Sequence, residues 1–147
     1  MIERFNIHNF KNHADTSLEL GGLTILTGIN GMGKSSVFQS MLILRESFQK
    51  RPSMRTLFLD GETFFSVGSA SLVNRNVVGD GDLLRLGLIT DEDELEFGYQ
   101  YPVGNKNEME YVGKDLGEVA GRLERIALFN DNFQYLSAFR IGPQSIY

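Results

Sequence analysis

Apolar and polar residues alternate along the first twenty positions in a way that is typical of β-structure. The period is irregular in the first strand and clearer in the second, which we expect over residues 16–20. The two strands are predicted to meet through the Asn12-His13-Ala14-Asp15 turn, whose residue types favour a chain reversal. The apolar positions that define the first strand are Ile2, Phe5, Ile7 and Phe10.

The next forty residues change from a β-type to a helical pattern. Leu23 to Thr27 is a short apolar, β-branched run after the Gly21-Gly22 turn, which predicts a buried core strand. Beyond a glycine-rich stretch the apolar positions recur at helical spacing until Pro52, which is expected to end the helix. The positions on this helical stripe are Val37, Met41, Leu44 and Phe48, with Phe38 and Leu42 widening it.

The rest of the chain is predicted to be rich in β-structure. Runs at 57–59 and 63–67 flank Asp60-Gly61, a hairpin signal, and a second, half-buried hairpin is expected from strict alternation over 84–88 and 95–101. A polar loop follows at 104–108. Asp115, with Glu118 three residues later, predicts the capped start of a helix running to Ala127, and residues 133–139 predict a last strand.

Composition narrows the class of protein. The 147 residues are 41% hydrophobic and 22% charged, which is typical of one globular domain. The absence of cysteine excludes disulfides, thiolate metal sites and a cysteine nucleophile, and the net charge of −5 argues against a broad nucleic-acid-binding surface. We find neither a secretion signal nor a membrane-spanning stretch, so a cytoplasmic protein is expected.

Residues 28–35 read Gly-Ile-Asn-Gly-Met-Gly-Lys-Ser and match the phosphate-binding pattern G-x-x-x-x-G-K-[ST]. Glycines let successive backbone N–H groups turn toward phosphate oxygens, the lysine reaches the β- and γ-phosphates, and the serine hydroxyl is a natural Mg²⁺ ligand. The order of predicted strand, loop and helix fits this reading, because the helix N-terminus adds partial positive charge. The sequence therefore predicts binding of ATP with Mg²⁺ through Gly28, Asn30, Gly31, Met32, Gly33, Lys34, Ser35 and Ser36.

Two segments resemble a known group of ATPases. Ile7-His8-Asn9-Phe10-Lys11-Asn12-His13 and residues 23–36 resemble the ABC-type heads of SMC-like ATPases, which include DNA-break-repair ATPases, RecF, OLD-family nucleases and anti-phage ATPases such as Septu. Residues 57–62 and 135–143 resemble a bacterial AAA-type ATP-binding branch of that group. The resemblance covers most of the chain, with the middle matching only in outline.

The resemblance implies an α/β fold in which a partial P-loop NTPase-like core stands beside an antiparallel β lobe. Residues 1–50 would supply strands, phosphate loop and first helix, and residues 51–147 a β-rich lobe with one helix and a return strand. It also implies that Lys11 and Asn12 lie near the nucleotide and that Gln144 lies near Mg²⁺ and the attacking water. In the intact parent it implies a head-to-head homodimer joined by ATP, with DNA as a partner and a role in DNA repair or phage defence.

The sequence departs from the complete pattern of an ABC-type head. Up to Tyr147 it contains no Ser-Gly-Gly signature, no apolar strand ending in Asp-Glu and no switch histidine. We therefore expect the N-terminal half of a head, which binds ATP without hydrolysing it. Asp60 and the Asp91-Glu92 pair imitate the strand-end carboxylate, but each lies in a predicted turn, where aspartate is common for local reasons.

Two other functions remain open from the sequence. A GTPase would read guanine through Asn-Lys-x-Asp, and Asn105-Lys106-Asn107-Glu108 is a near match that lacks the final aspartate. A non-enzymatic module would bind nucleotide only to order an interaction surface. Cations that such a surface would use are Lys50, Arg51, Arg122 and Arg125.

Overall fold

The structure is a computed structural model that describes residues 1–60, 82–102 and 106–136. The second strand of the predicted Asp60-Gly61 hairpin, residues 137–139 of the last predicted strand, and Gln144 lie outside the described residues. Residues 133–136, the described part of that last strand, are not assigned to a strand. Within the described ranges, no helix is long and apolar enough to cross a membrane.

The described residues build one antiparallel sheet against which a long helix packs. Its strand order is β2-β1-β4-β5-β6-β3, and every observed pairing is antiparallel. The strands are β1 (Ile2–Phe10), β2 (His13–Glu19), β3 (Thr56–Phe58), β4 (Leu83–Thr90), β5 (Glu94–Gln100) and β6 (Glu108–Tyr111). The helices are α1 (Lys34–Lys50), α2 (Val119–Leu123) and a 3₁₀ turn at Ala127–Phe129.

The β4–β5 hairpin confirms the second hairpin predicted from alternation. Leu86 lies opposite Phe97 and Leu88 opposite Leu95, and all four side chains are buried. A one-residue slip would turn this apolar set to solvent, so burial fixes the register. β1 then pairs with β4 on the other side, which places Ile7 beside Leu86. The strand β6 was not predicted, and its first residue, Glu108, lies in the stretch expected to be a polar loop.

Helix α1 begins and ends close to its predicted limits. Gly33 is its N-cap in the left-handed region, and Arg51 ends it in an extended conformation immediately before Pro52. A residue before proline disfavours the helical conformation, which explains the position of the end. The helix buries Leu44 and Phe48 in the core, where the Phe48 ring meets Phe129 edge-on at 5.3 Å.

A buried arginine joins α1 to the chain after α2. Arg45 is only 9% exposed, and its Nη1 donates to the carbonyl oxygens of Leu128 at 2.6 Å and Asn130 at 3.0 Å. Its guanidinium also lies 4.9 Å from the centre of the Phe133 ring. Two satisfied carbonyls and a ring contact compensate the cost of burying this charge.

The prediction of a buried strand over Leu23–Thr27 is wrong for this structure. No strand is assigned there, and Leu23 and Ile25 are 82% and 73% exposed. None of the backbone hydrogen bonds between described residues joins this run to the sheet. The run has apolar residues on both faces, as strands do that are covered on both faces. The described residues, however, provide no neighbouring strand to pair with it.

The predicted capped helix at Asp115 is also wrong at its start. The α2 helix spans only five residues, and its N-cap, Glu118, makes no side-chain capping bond. Gly117 has φ +55°, a left-handed conformation that cannot belong to a right-handed helix. The Asp115 carboxylate instead accepts hydrogen bonds from Arg55 and from the Gly117 N–H.

Two tyrosines, the buried Tyr99 and the partly buried Tyr101, should make the fold sensitive to alkaline pH. Burial, and secondarily the neighbouring Tyr111, raises the pKa of the Tyr99 phenol, and burial alone raises the pKa of Tyr101. The Tyr99 hydroxyl donates to the Met54 carbonyl at 3.0 Å. A raised folded-state pKa keeps its stabilising effect below the unfolded value of about 10 and loses it as the pH rises further.

We therefore expect the free energy of unfolding to fall above about pH 10, by about 1.4 kcal/mol per pH unit for each buried phenol. Urea unfolding across pH 8 to 11 measures this slope. The Tyr99→Phe variant should be less stable at pH 8, because the Met54 carbonyl loses its donor, and should show a shallower alkaline slope. An unchanged slope in the variant would contradict the assignment to Tyr99.

Candidate phosphate-binding site

The loop at 28–33 is formed by glycines in conformations that other residues rarely adopt. Gly28, Gly31 and Gly33 have φ values of +146°, +86° and +95°. A side chain at any of these positions would strain the backbone whatever the surrounding space. Gly28 and Gly33, the two glycines that the pattern fixes, and Gly31 between them thus meet a conformational requirement of the folded loop.

The loop leads directly into the N-terminus of α1. The Gly33 carbonyl accepts the first helical bonds, from the Ser36 N–H at 2.9 Å and the Val37 N–H at 3.2 Å. The first turn contains no acidic residue, so nothing there neutralises the partial positive charge of the helix end. Ser35 is exposed in this turn. The arrangement favours an anion in front of the helix.

The Lys34 ammonium lies against the loop. Its Nζ donates to the carbonyl oxygens of Gly28 at 2.6 Å and Ile29 at 2.7 Å. The side chain therefore turns back from the start of α1 over the loop, and the positive charge lies beside the loop glycines. A cation near the N-terminus of a helix favours the binding of phosphate groups.

The β1–β2 turn packs onto the phosphate loop. The Asn12 side-chain amide donates to the Gly31 carbonyl at 2.8 Å, and the Lys11 Nζ donates to the Gln39 side-chain oxygen on α1 at 2.8 Å. Partial burial lowers the pKa of the Lys11 ammonium. The structure thus brings Asn12 to the loop and Lys11 to helix α1. It also identifies Gln39, which carries no motif signal in the sequence.

His13 contacts the loop more closely than the sequence indicated. Neither His8 nor His13 is among the residues that the sequence predicts for the site. His13 is 8% exposed, with Nε2 3.0 Å from the Gly33 carbonyl oxygen and Nδ1 3.0 Å from the Thr16 hydroxyl. His8 is half-exposed and lies 3.8 Å from Asp15. The only sequence signal that could have suggested a contact between His13 and the loop is its position two residues after Lys11.

The two internal carboxylate candidates are both held by other contacts. The backbone carbonyl of Asp60 accepts from Lys50 at the far end of α1, about 25 Å along a 17-residue helix from the loop. Its carboxylate accepts from the Asn107 amide. The Asp91 carboxylate pairs at 3.2 Å with the N-terminal amine, and those contacts lower its pKa. Asp60 therefore lies too far from the loop to act on its ligand.

Three of the four cations proposed for an interaction surface make contacts within the chain. Lys50 donates to the Asp60 carbonyl, and the Arg51 guanidinium lies 5.9 Å from the centre of the Phe58 ring. Arg122 donates twice to the Asp93 carboxylate, at 2.8 and 2.5 Å. Arg125 remains exposed. These contacts give little support to a shared basic surface.

A largely apolar groove of about 680 Å³ lies beside the first turns of α1. Its rim includes the acidic turn between β4 and β5, and its lining does not include the loop residues 28–35. Thr24 and Leu26 face it, on the side of the 23–27 run opposite to Leu23 and Ile25. The other apolar lining residues are Met1, Ile2, Leu20, Val37, Phe38, Met41, Ile126, Ala127, Leu128 and Phe133.

The sequence matches the family model of an AAA ATPase domain over residues 1–117. The match includes β1, β2, the phosphate loop, α1 and all of the described sheet, and it extends over 117 of the 147 residues. No curated protein matches the chain. The family match and the loop geometry therefore agree on a nucleotide-binding domain of the ATPase type.

Proposed function

The chain belongs to the AAA ATPase domain family, and from that premise we propose that residues 28–35 bind the phosphates of ATP in its Mg²⁺ complex. The carrying observation is the position of Lys34. Its ammonium lies 2.6 Å from the Gly28 carbonyl oxygen and 2.7 Å from that of Ile29, on a loop of positive-φ glycines that leads into the N-terminus of α1. Loop amides, helix end and ammonium all favour a multiply charged anion at one place.

The residues present also fit magnesium as part of the nucleotide complex. Among the described residues, no group of three or more histidine, cysteine, aspartate or glutamate side chains is placed to hold a metal. Mg²⁺ does not require such a group, because it commonly binds through one or two protein oxygens together with substrate phosphates and water. The exposed Ser35 hydroxyl would supply one oxygen, and the ion would neutralise phosphate charge. Gln144 remains a proposed second contact outside the described residues.

Residues 1–147 belong, in this proposal, to the N-terminal portion of an ABC/SMC-like head. Support comes from the apolar 23–27 run, whose two side-chain faces are not fully covered by described residues. Leu23 and Ile25 are exposed on one side, and Thr24 and Leu26 face the groove on the other. A neighbouring strand would cover this run and pair its backbone. In the parent, two such heads would join through ATP, with DNA as a partner and a role in repair or phage defence.

We expect the isolated chain to bind ATP without turning it over. Hydrolysis needs a group that orients or deprotonates water, and Asp60, the best strand-end candidate among the described residues, lies about 25 Å from the loop along α1. The chain by itself then acts as the phosphate-binding part of the ATPase.

Calorimetric titration of the chain with ATP tests this function, first with Mg²⁺ and then with EDTA. We expect saturable binding that weakens when the metal is removed, and no release of phosphate above the protein-free rate. Equal displacement by GTP would contradict ATP specificity. Phosphate release that disappears in Lys34→Ala would contradict binding without turnover.

A further inference from the structure

The phosphate loop is held to the rest of the protein by few contacts. Among the described residues, two side chains from outside the loop donate or accept hydrogen bonds with its backbone: Asn12 at Gly31 and His13 at Gly33. Asn12 is exposed, whereas His13 is buried. The Gly33 contact lies at the junction of loop and helix. There, the direction of the Gly33 carbonyl determines which way the Lys34 N–H points.

The partners of the His13 ring determine which nitrogen carries the proton. The Gly33 carbonyl oxygen can only accept, so Nε2, 3.0 Å away, must be the donor. In the neutral ring Nδ1 is then an acceptor, and the Thr16 hydroxyl at 3.0 Å can donate to it. The Gly33 carbonyl therefore selects the Nε2–H tautomer, and the Thr16 hydroxyl, which can donate to Nδ1, is compatible with it.

Fixing the Gly33 carbonyl also fixes the Lys34 amide. In a planar trans peptide the C=O and the following N–H point in opposite directions. The Gly33 oxygen points toward the Ser36 and Val37 amides and toward His13. The Lys34 N–H must then point the other way, out of the helix N-terminus and into the loop.

The ring and the glycine fit each other closely. A Cβ at Gly33 would lie 2.8 Å from His13 Nε2 and 3.3 Å from its Cε1. The imidazole thus occupies the space that any other residue at position 33 would need. Because the ring packs directly on the peptide, it can limit rotation of that peptide as well as donate to it.

We propose that His13 is a positioning residue for nucleotide binding: its Nε2–H holds the Gly33 carbonyl so that the Lys34 amide faces the phosphates. The proposal rests on the proposed function of the loop. It goes beyond that function by assigning the task to the first side chain of β2, with the Thr16 hydroxyl as the partner of its other ring nitrogen. His13 does not contact the ligand itself.

The first test compares three variants by their affinity for Mg-ATP. His13→Leu removes the donor and should weaken binding about tenfold, whereas His13→Gln keeps an N–H donor and should recover at least half of that loss on a logarithmic scale. His8→Leu, the same change at a half-exposed histidine of β1, should bind within about twofold of the wild type. Thermal unfolding establishes that each variant is folded.

Equal weakening in His13→Leu and His13→Gln would overturn the proposal, since packing alone would then account for the effect. Unchanged affinity in a destabilised but folded His13→Leu would overturn it too.

The second test needs no nucleotide and therefore separates this inference from the proposed function. The ¹⁵N spectrum of the wild-type imidazoles should show His13 as the Nε2–H tautomer, and the Lys34 amide resonance should shift in His13→Leu but not in His8→Leu. An Nδ1–H tautomer, or an unmoved Lys34 resonance, would overturn the positioning role. Failure of the wild type to bind Mg-ATP, with these signals as expected, would instead remove the proposed function.

Discussion

Replacing Lys34 with alanine is expected to weaken Mg-ATP binding about 100-fold. Hydrogen bonds to charged groups contribute about 1.5–3 kcal/mol each, and the Lys34 ammonium is placed to make such bonds with phosphate oxygens. In the structure its two donors go to the Gly28 and Ile29 carbonyls at the loop. Because these carbonyls are exposed, water can replace the ammonium, and stability should change by less than about 1 kcal/mol.

Isothermal titration calorimetry of the two proteins with Mg-ATP measures this effect. Lys114→Ala is the matched control, because Lys114 is an exposed lysine just after β6, a strand near the opposite edge of the sheet from β2. The control should bind like the wild type. If Lys34→Ala keeps its affinity within about threefold while remaining folded, the loop is not the phosphate site.

Replacing Gly33 with alanine is expected to be the most damaging single methyl addition in the site. The residue has φ +95°, which costs an alanine about 1–3 kcal/mol, and the new Cβ would lie 2.8 Å from the His13 ring. Overpacking of this kind adds about 1–3 kcal/mol. We expect the free energy of unfolding to fall by about 2–6 kcal/mol in total, together with loss of Mg-ATP binding.

A double-mutant cycle separates the two costs. Adding His13→Ala to Gly33→Ala removes the steric contact but leaves the backbone strain, so the double variant should recover part of the loss that the two single changes predict. Gly22→Ala is the control: its Cβ would meet nothing within 4 Å, and its φ lies outside the restricted region. Urea unfolding gives the stabilities. Strict additivity in the cycle would mean that His13 and Gly33 do not contact each other in solution.

Local sequence patterns predicted the parts of the site that depend on neighbouring residues. The three positive-φ glycines and the start of α1 follow from the order of residue types within eight positions. The β4–β5 hairpin follows from period-two alternation on both sides of a short acidic turn. In each case the residues that stabilise the element are close together in sequence.

Contacts between distant segments were not predictable in the same way. His13 meets a loop glycine twenty residues away, and Arg45 reaches carbonyls more than eighty residues away. Neither residue carries a pattern that names its partner, and a buried arginine looks like a polar interruption of an apolar stripe. In the 23–27 run the local pattern is present but the distant contact is missing: its residues are typical of a strand, yet no strand forms there.

The sequence by itself determined the chemistry of the site: a glycine loop, a lysine and a serine at the start of a helix, in a member of the AAA ATPase domain family. The tertiary structure decided which surfaces surround that loop. It placed the β1–β2 turn on the loop and left Leu23 and Ile25 exposed. It also placed Asp60 beside the C-terminal end of α1, away from the loop. The physical reason is that backbone conformation is set by adjacent residues, whereas strand pairing and burial require a partner that only the folded chain provides.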